Sequence, residues 1–225
     1  MKTSRPWLGT QASLLIASLT LACSGPADTA EPIHESAVRT APENVAIATV
    51  AGGCFWCMEH PYEDLPGVSK VISGYTGGKK KKPTYKEVAS GSTLHVEAVE
   101  VHFDPAKISY SDILEIFWRN IDPTDAGGQF VDRGKQYTTG IFYKNKQQKQ
   151  VAQASKKSIE GSKRFSKKII TKIVKAGAFY RAEEYHQDFF KKNYIRYRVY
   201  RAGSGRDEFI KRVWGDDRED RKSVV

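Results

Sequence analysis

Residues 45–57 read VAIATVAGGCFWC. A short apolar run rich in small and β-branched residues is cut off by a glycine pair, and two cysteines follow with Phe55 and Trp56 between them. Such a run predicts a buried strand, and Gly52–Gly53 end it. From Cys54 to Leu65 the only breaker is Pro61, so this segment predicts a helix. A strand turning through Gly-Gly into a helix puts Cys54 at the helix N-terminus, where unpaired backbone N–H groups and the helix dipole are expected to lower a thiol pKa. Cys57 lies one turn on, on the same face and within disulfide reach. The pair therefore reads as a nucleophile, Cys54, with a resolving thiol, Cys57.

Two blander readings of the pair carry less weight. A permanent disulfide across three residues closes almost no loop and adds little stability. A zinc site needs a second pair of ligands at suitable spacing, and the only other cysteine, Cys23, lies near the N-terminus with no histidine pair at ligand spacing. A bare CxxC also suits a thioredoxin-like disulfide oxidoreductase, which stays as the alternative.

The rest of the chain reads as one domain with tails. Lys2 and Arg5 precede an apolar stretch ending in LACS, an export signal over residues 1–23; it is too short for a membrane span, and Cys23 is a candidate lipidation site. The expected location is therefore exported and periplasmic. Residues 24–44, rich in Pro, Ala, Ser and Glu, read as a disordered linker, residues 45–214 as the folded domain and residues 215–225 as a charged tail. The net charge of +10 comes from 36 basic residues spread among 26 acids, a solvated surface with no nucleic-acid signature.

Within the domain, strands are expected at residues 68–78, 95–105, 136–144 and 167–174, and helices after Ser109, over 145–160 and over 182–193. This order lacks a regular βαβ alternation and predicts an α+β fold, a two-layer sandwich. On the strand 95–105, alternation places Glu97 with Val99, Val101 and Phe103 on the core face. A half-buried carboxyl there has its pKa raised and becomes a candidate proton donor. A Glu capped by backbone donors, or a shifted register exposing it to solvent, are the alternatives.

Further segments extend the pattern: GCFWCMEHPYEDLPGV, GYTGG, PTYKEV, TLHVEAVEVHFDP, ISYSDILEIFWRNIDPT, GGQFVDRGKQYTTGIFY and FYRAEEYHQDFFKKN. In this order, over roughly residues 45–195, they resemble the peptide methionine sulfoxide reductase A family. The resemblance implies a plait-related fold with a mixed sheet and flanking helices. It implies Cys54 as nucleophile, Phe55 and Trp56 as an apolar wall for the substrate methyl group, and Glu97 as the acid that protonates the sulfoxide oxygen. Tyr85 and Tyr137 match the tyrosines that hydrogen-bond that oxygen, and Asp132 the aspartate that orders the site. It implies no bound cofactor, methionine S-sulfoxide in oxidised proteins, peptides or the free amino acid as substrate, and thioredoxin or a similar thiol donor as reductant. The protein is expected to be a monomer. Many relatives have Gly at the position of Cys57 and recycling cysteines near the C-terminus. Here no cysteine follows Cys57, so either Cys57 resolves the sulfenic acid or an outside thiol reduces it directly. Leu94, Ile121 and Lys82 depart from the family pattern without removing a catalytic group. His95 and His186 read as structural, and Lys79 to Lys82 as a solvated loop.

Overall fold

The computed structural model describes residues 44–215. The expected export segment with Cys23, the linker up to residue 43 and the tail from residue 216 lie outside the described residues. Five of the strands are β1 (Ala46–Gly52), β2 (Val68–Thr76), β3 (Val96–Phe103), β6 (Thr139–Tyr143) and β7 (Lys172–Lys175). With β8 (Phe179–Arg181) they form one six-stranded sheet in the order β7-β6-β1-β3-β2-β8. All pairs are antiparallel except β6 with β7, which makes the sheet mixed. The two-residue strands β4 (Gly128–Gln129) and β5 (Asp132–Arg133) pair with each other apart from it.

Three helices supply the second layer: α1 (Phe55–Glu63), α3 (Tyr110–Arg119) and α4 (Lys146–Gly161). Phe55, Met58 and Tyr62 of α1, Ile113, Leu114, Phe117 and Trp118 of α3 and Ala152 of α4 share one core cluster with Val50, Val99 and Val101 of the central strands. Each large apolar side chain so buried contributes about 1.5–3 kcal/mol. Helix α3 starts at Ser109, whose hydroxyl accepts from Asp112 N while Asp112 accepts from Ser109 N. That capping box stabilises the helix by about 1 kcal/mol. The α+β two-layer architecture is the one expected from the sequence.

Several boundaries differ from expectation. Gln136 and Tyr137, expected in a strand, form a 3-10 turn at residues 135–137, because Gly134 turns at φ 128° and Gln136 Nε2 donates to Ala89 O. Only residues 172–174 of the expected strand 167–174 fall in β7, since Ile170 N is already committed to Pro123 O. The far face of β3 is also covered, with Ala98 packed among Ala51 and Phe142, so the strand is buried on both sides rather than alternating. The expected helix 182–193 is broken into a 3-10 turn at Glu184–His186 and a short α5 (Phe189–Lys192), with Asp188 left-handed at φ 52° between them. Two helices not expected from the sequence close the domain, α6 (Tyr194–Gly203) and α7 (Arg206–Trp214).

Candidate active site

The antiparallel ladder brings the end of β1 and the start of β3 to the same end of the sheet, with Val50 opposite Val99 and Glu97 opposite Tyr75 on β2. There the chain turns at Gly53, φ 85°, so tightly that a Cβ would lie 2.6 Å from Gln129 Cβ. No residue with a side chain fits this turn without strain. Cys54 follows as the N-cap of α1, with no hydrogen bond from its side chain to the helix end.

The donor at that helix end goes to Glu97 instead: Phe55 N donates to Glu97 Oε2 at 3.0 Å. Glu97 is 2% exposed. Burial raises its pKa to about 8; the Phe55 amide pulls the other way, and the charges of Asp132 and Cys57 add to the rise. At neutral pH this carboxyl keeps its proton, so both the buried acid and the backbone-capped Glu describe one residue.

The thiols correct an expectation. Cys54 and Cys57 are both free and buried. Cys54 has its pKa raised, first by burial, then by its hydrogen bond to Cys57 and by nearby negative charge. The helix terminus does not reverse this, because its first N–H faces Glu97 rather than the sulfur. Cys57 is the more acidic thiol, brought down to about 7 by the hydrogen bond from Cys54, against burial and with help from the guanidinium groups of Arg206 and Arg201. The hydrogen bond between the two thiols raises Cys54 and lowers Cys57.

The structure brings the remaining expected residues together around these groups. Tyr85 starts α2 (Tyr85–Ala89), and its hydroxyl pKa rises to about 12 through burial, with Glu97 and Cys54 adding to it. The Tyr137 hydroxyl is pushed up for the same reasons, by burial and then Glu97. Both therefore stay protonated donors within electrostatic reach of the acid and the nucleophile. Asp132, at the start of β5, accepts a 2.5 Å hydrogen bond from Tyr200 Oη of α6. Burial raises its pKa against that bond and against the Arg206 charge.

Of the two aromatics, Phe55 is 1% exposed and belongs to the core, against Tyr75 and His186. Trp56 is half-buried, stacked flat on Phe189 at 3.7 Å with Tyr200 edge-on. Its Nε1 donates to His186 Nδ1 at 3.1 Å. Burial holds His186 down to about 4, so it accepts that bond as a neutral ring. His95 is structural as expected, taking the Gly78 amide on Nδ1 and pairing Nε2 with Lys80 O.

Sequence reasoning missed four contributors. Glu183 holds Tyr85 in place, accepting from its amide and from the Tyr75 hydroxyl, each at 2.8 Å. Tyr200, Arg201 and Arg206 reach the site from α6 and α7. Tyr197 with Tyr200 and Arg201, at helical spacing i, i+3 and i+4, was the available signal, followed by the Gly203–Gly205 break. Among the described residues, only Glu59, Glu63 and Asp188 bring three potential metal ligands within 4.8 Å, and Lys191 Nζ already sits 2.6 Å from Glu63. Neither cysteine belongs to that group.

Comparison with known proteins places this geometry. A family model described as peptide methionine sulfoxide reductase matches residues 46–218. The chain is 54% identical over 172 residues to the peptide methionine sulfoxide reductase MsrA of Listeria innocua, covering 76% of this chain and 97% of that protein. The corresponding protein of Bacillus subtilis is 54% identical over 173 residues, covering 77% and 98%. Among solved structures, Mxr1 from Saccharomyces cerevisiae in reduced form aligns with a TM-score of 0.64 at 30% identity, covering 70% of this chain and 91% of that one.

Proposed function

The chain belongs to the peptide methionine sulfoxide reductase family, and from that premise we propose how its residues divide the reaction. The enzyme reduces methionine S-sulfoxide, free or in peptides and oxidised proteins. Cys54 attacks the sulfoxide sulfur as a thiolate, passing its proton to the hydrogen-bonded Cys57 as substrate arrives. Glu97 protonates the sulfoxide oxygen, with the Tyr85 and Tyr137 hydroxyls donating to it, because a protonated oxygen departs from sulfur far more readily than a bare one. Attack forms an S–S bond between Cys54 and the substrate sulfur. As that bond breaks with its electron pair on the substrate sulfur, the protonated oxygen passes from it to the Cys54 sulfur, so the thioether leaves and Cys54 becomes a sulfenic acid. Cys57, after losing its proton to solvent, attacks that sulfur and closes a disulfide with loss of water. A thioredoxin-type dithiol then reduces the disulfide by two exchanges. Trp56 presents the apolar surface for the methyl group, with Phe55 bracing it from the core.

The observation that carries this reading is Glu97. It is buried, its pKa is raised to about 8, and it is bonded to the amide next to the nucleophile. Reduction of the two methionine sulfoxide epimers by dithiothreitol tests it. Wild type is expected to turn over the S epimer, Cys54→Ser to be inactive, and Cys57→Ser to work with dithiothreitol but lose most of its rate with a thioredoxin-type donor. A wild type without epimer preference would sink the reading. The export segment supports a site of action outside the cytoplasm, with Cys23 as the site of lipid attachment; mass spectrometry of the mature N-terminus checks both.

A further inference from the structure

We propose that Arg201 and Arg206 are positioning residues for the resolving step: from α6 and α7 they hold Cys57 as a thiolate, ready to attack the Cys54 sulfenic acid and later to depart as leaving group. The inference rests on the resolving role proposed for Cys57 and adds the groups that make it effective.

Cys57 lies in surroundings that oppose a thiolate. It is 1% exposed, among Phe189, Phe190 and Tyr197. A sulfur buried in apolar contact keeps its proton unless charge compensates it. Two cations do so. Arg201 Nη1 donates to the carbonyl of Cys57 itself at 3.3 Å, while its Nε and Nη2 are fixed on Asp207 Oδ1 at 3.0 and 2.9 Å. Arg206 is 1% exposed and embraces the cysteine turn from beneath. Its Nη2 donates to Gly52 O at 3.0 Å, and its Nη1 donates to Asn120 O and lies 3.6 Å from Met58 Sδ.

The partners of Arg206 are the telling feature. Its side chain donates to carbonyl oxygens and a thioether, and among the described residues no carboxylate accepts from it. A guanidinium removed from water with no anion in contact is costly. Its charge acts on two nearby groups, Asp132 and Cys57. A thiolate at Cys57 supplies the anion that the burial of Arg206 calls for, and Arg206 supplies the cation that the burial of Cys57 calls for.

The chemistry follows. The Cys57 thiolate attacks the sulfur of Cys54–S–OH; the S–S bond forms, the S–O bond breaks, and hydroxide leaves as water with a proton from Glu97, reprotonated by solvent since the first step. In the reductive half, one thiolate of an external dithiol attacks Cys54, and the S–S bond breaks with its electron pair on Cys57. The dithiol's second sulfur then displaces Cys54 and ends as the donor's own disulfide. A leaving thiolate departs faster the lower its pKa, so the same two cations help both halves.

The test isolates Cys57 in the Cys54→Ser variant and follows its modification by iodoacetamide against pH, quantified on the Cys57 peptide by mass spectrometry. The half-maximal pH of the Cys54→Ser variant is the reference; adding Arg201→Met is expected to move it up by about one pH unit, while Arg201→Lys, which keeps the charge, leaves it in place. With Cys54 present, single-turnover disulfide formation at pH 6 falls about threefold in Arg201→Met. Thiolate is about tenfold scarcer, and the more basic sulfur regains about threefold in nucleophilicity. Arg206→Met is measured the same way where circular dichroism shows it folded; Arg201→Met decides the matter where it is not. An unmoved pH profile and rate in Arg201→Met would overturn the proposal. A wild type that forms no Cys54–Cys57 disulfide with methionine sulfoxide would instead overturn the resolving role itself, and the iodoacetamide profile would still report on the arginines.

Discussion

At Glu97, one residue sets catalysis against stability. Its folded pKa of about 8 lies above its unfolded value, so the unfolded chain gives up this proton more readily. Stability from this group is therefore complete below about pH 4.5 and is lost as pH rises to about 8, by up to about 5 kcal/mol at about 1.4 kcal/mol per pH unit. Glu97→Gln removes that loss while keeping an acceptor for the Phe55 amide. The variant is expected to unfold at higher temperature than wild type at pH 8, with the gap closing toward pH 4.5, and to be about 10²–10⁴-fold slower. Thermal melts over that pH range and turnover with dithiothreitol check the two arms together. In wild type, activity should fall above about pH 8 as the acid ionises. Glu97 was legible in the sequence because a carboxyl on the apolar face of an alternating strand is an anomaly. The acidity of the cysteines was not. It depends on which acceptor takes the first helix N–H and on cations that lie more than 140 residues further along the chain.

Among the elements, those whose order is written locally were legible: β1 by its apolar run and Gly-Gly stop, and α3 by its Ser109 cap, which accepts from Asp112 N. The break in residues 182–193 was not, because no proline or glycine marks it. It is imposed by Gln187, 2% exposed, whose amide accepts from Ser73 N and donates to Ser73 O and Ala182 O at 2.9–3.0 Å. This side chain completes the edge of β2, and Glu59 takes the freed Asp188 amide at 3.0 Å. The break sets Phe189 flat against Trp56 and brings His186 to the indole N–H. Gln187→Ala leaves Ser73 N without its acceptor in the interior, which costs about 2–4 kcal/mol. Urea unfolding is expected to show that loss, and the substrate KM to rise more than kcat falls, since the Trp56 wall loosens while Cys54 and Glu97 stay on α1 and β3. An unchanged KM would detach the break from the substrate wall.

Across the whole molecule, the helices that close the domain and the sheet end that carries the chemistry form one electrostatic unit. Helix α6 delivers Tyr200 to Asp132 and Arg201 to Cys57, and α7 delivers Arg206 to the Gly52 turn. The redox state of two sulfurs should therefore register in global stability. Reduced Cys57 has its pKa lowered to about 7 from 9.0. A depressed acid contributes stability that is present above its unfolded pKa and is lost as pH falls through its folded one. The reduced protein thus gains about 3 kcal/mol between about pH 7 and pH 9 from this thiol. Above pH 9 the raised Cys54 opposes any further gain, because the unfolded chain ionises it first. The disulfide form has no thiolate and no such gain, and its three-residue loop adds about 2 kcal/mol at most, independent of pH. Glu97 contributes to both forms, since burial is the main cause of its raised pKa; the Cys57 charge is the smallest of its causes and is missing from the disulfide form, so most of its slope cancels in their difference. Urea unfolding of reduced and oxidised protein, compared at matched pH, should show the reduced form gaining on the oxidised form from pH 7 to 9 and then falling back as the unfolded chain ionises Cys54. A difference that stays flat over that range would mean that the buried guanidinium groups do not sense the oxidation state of Cys57.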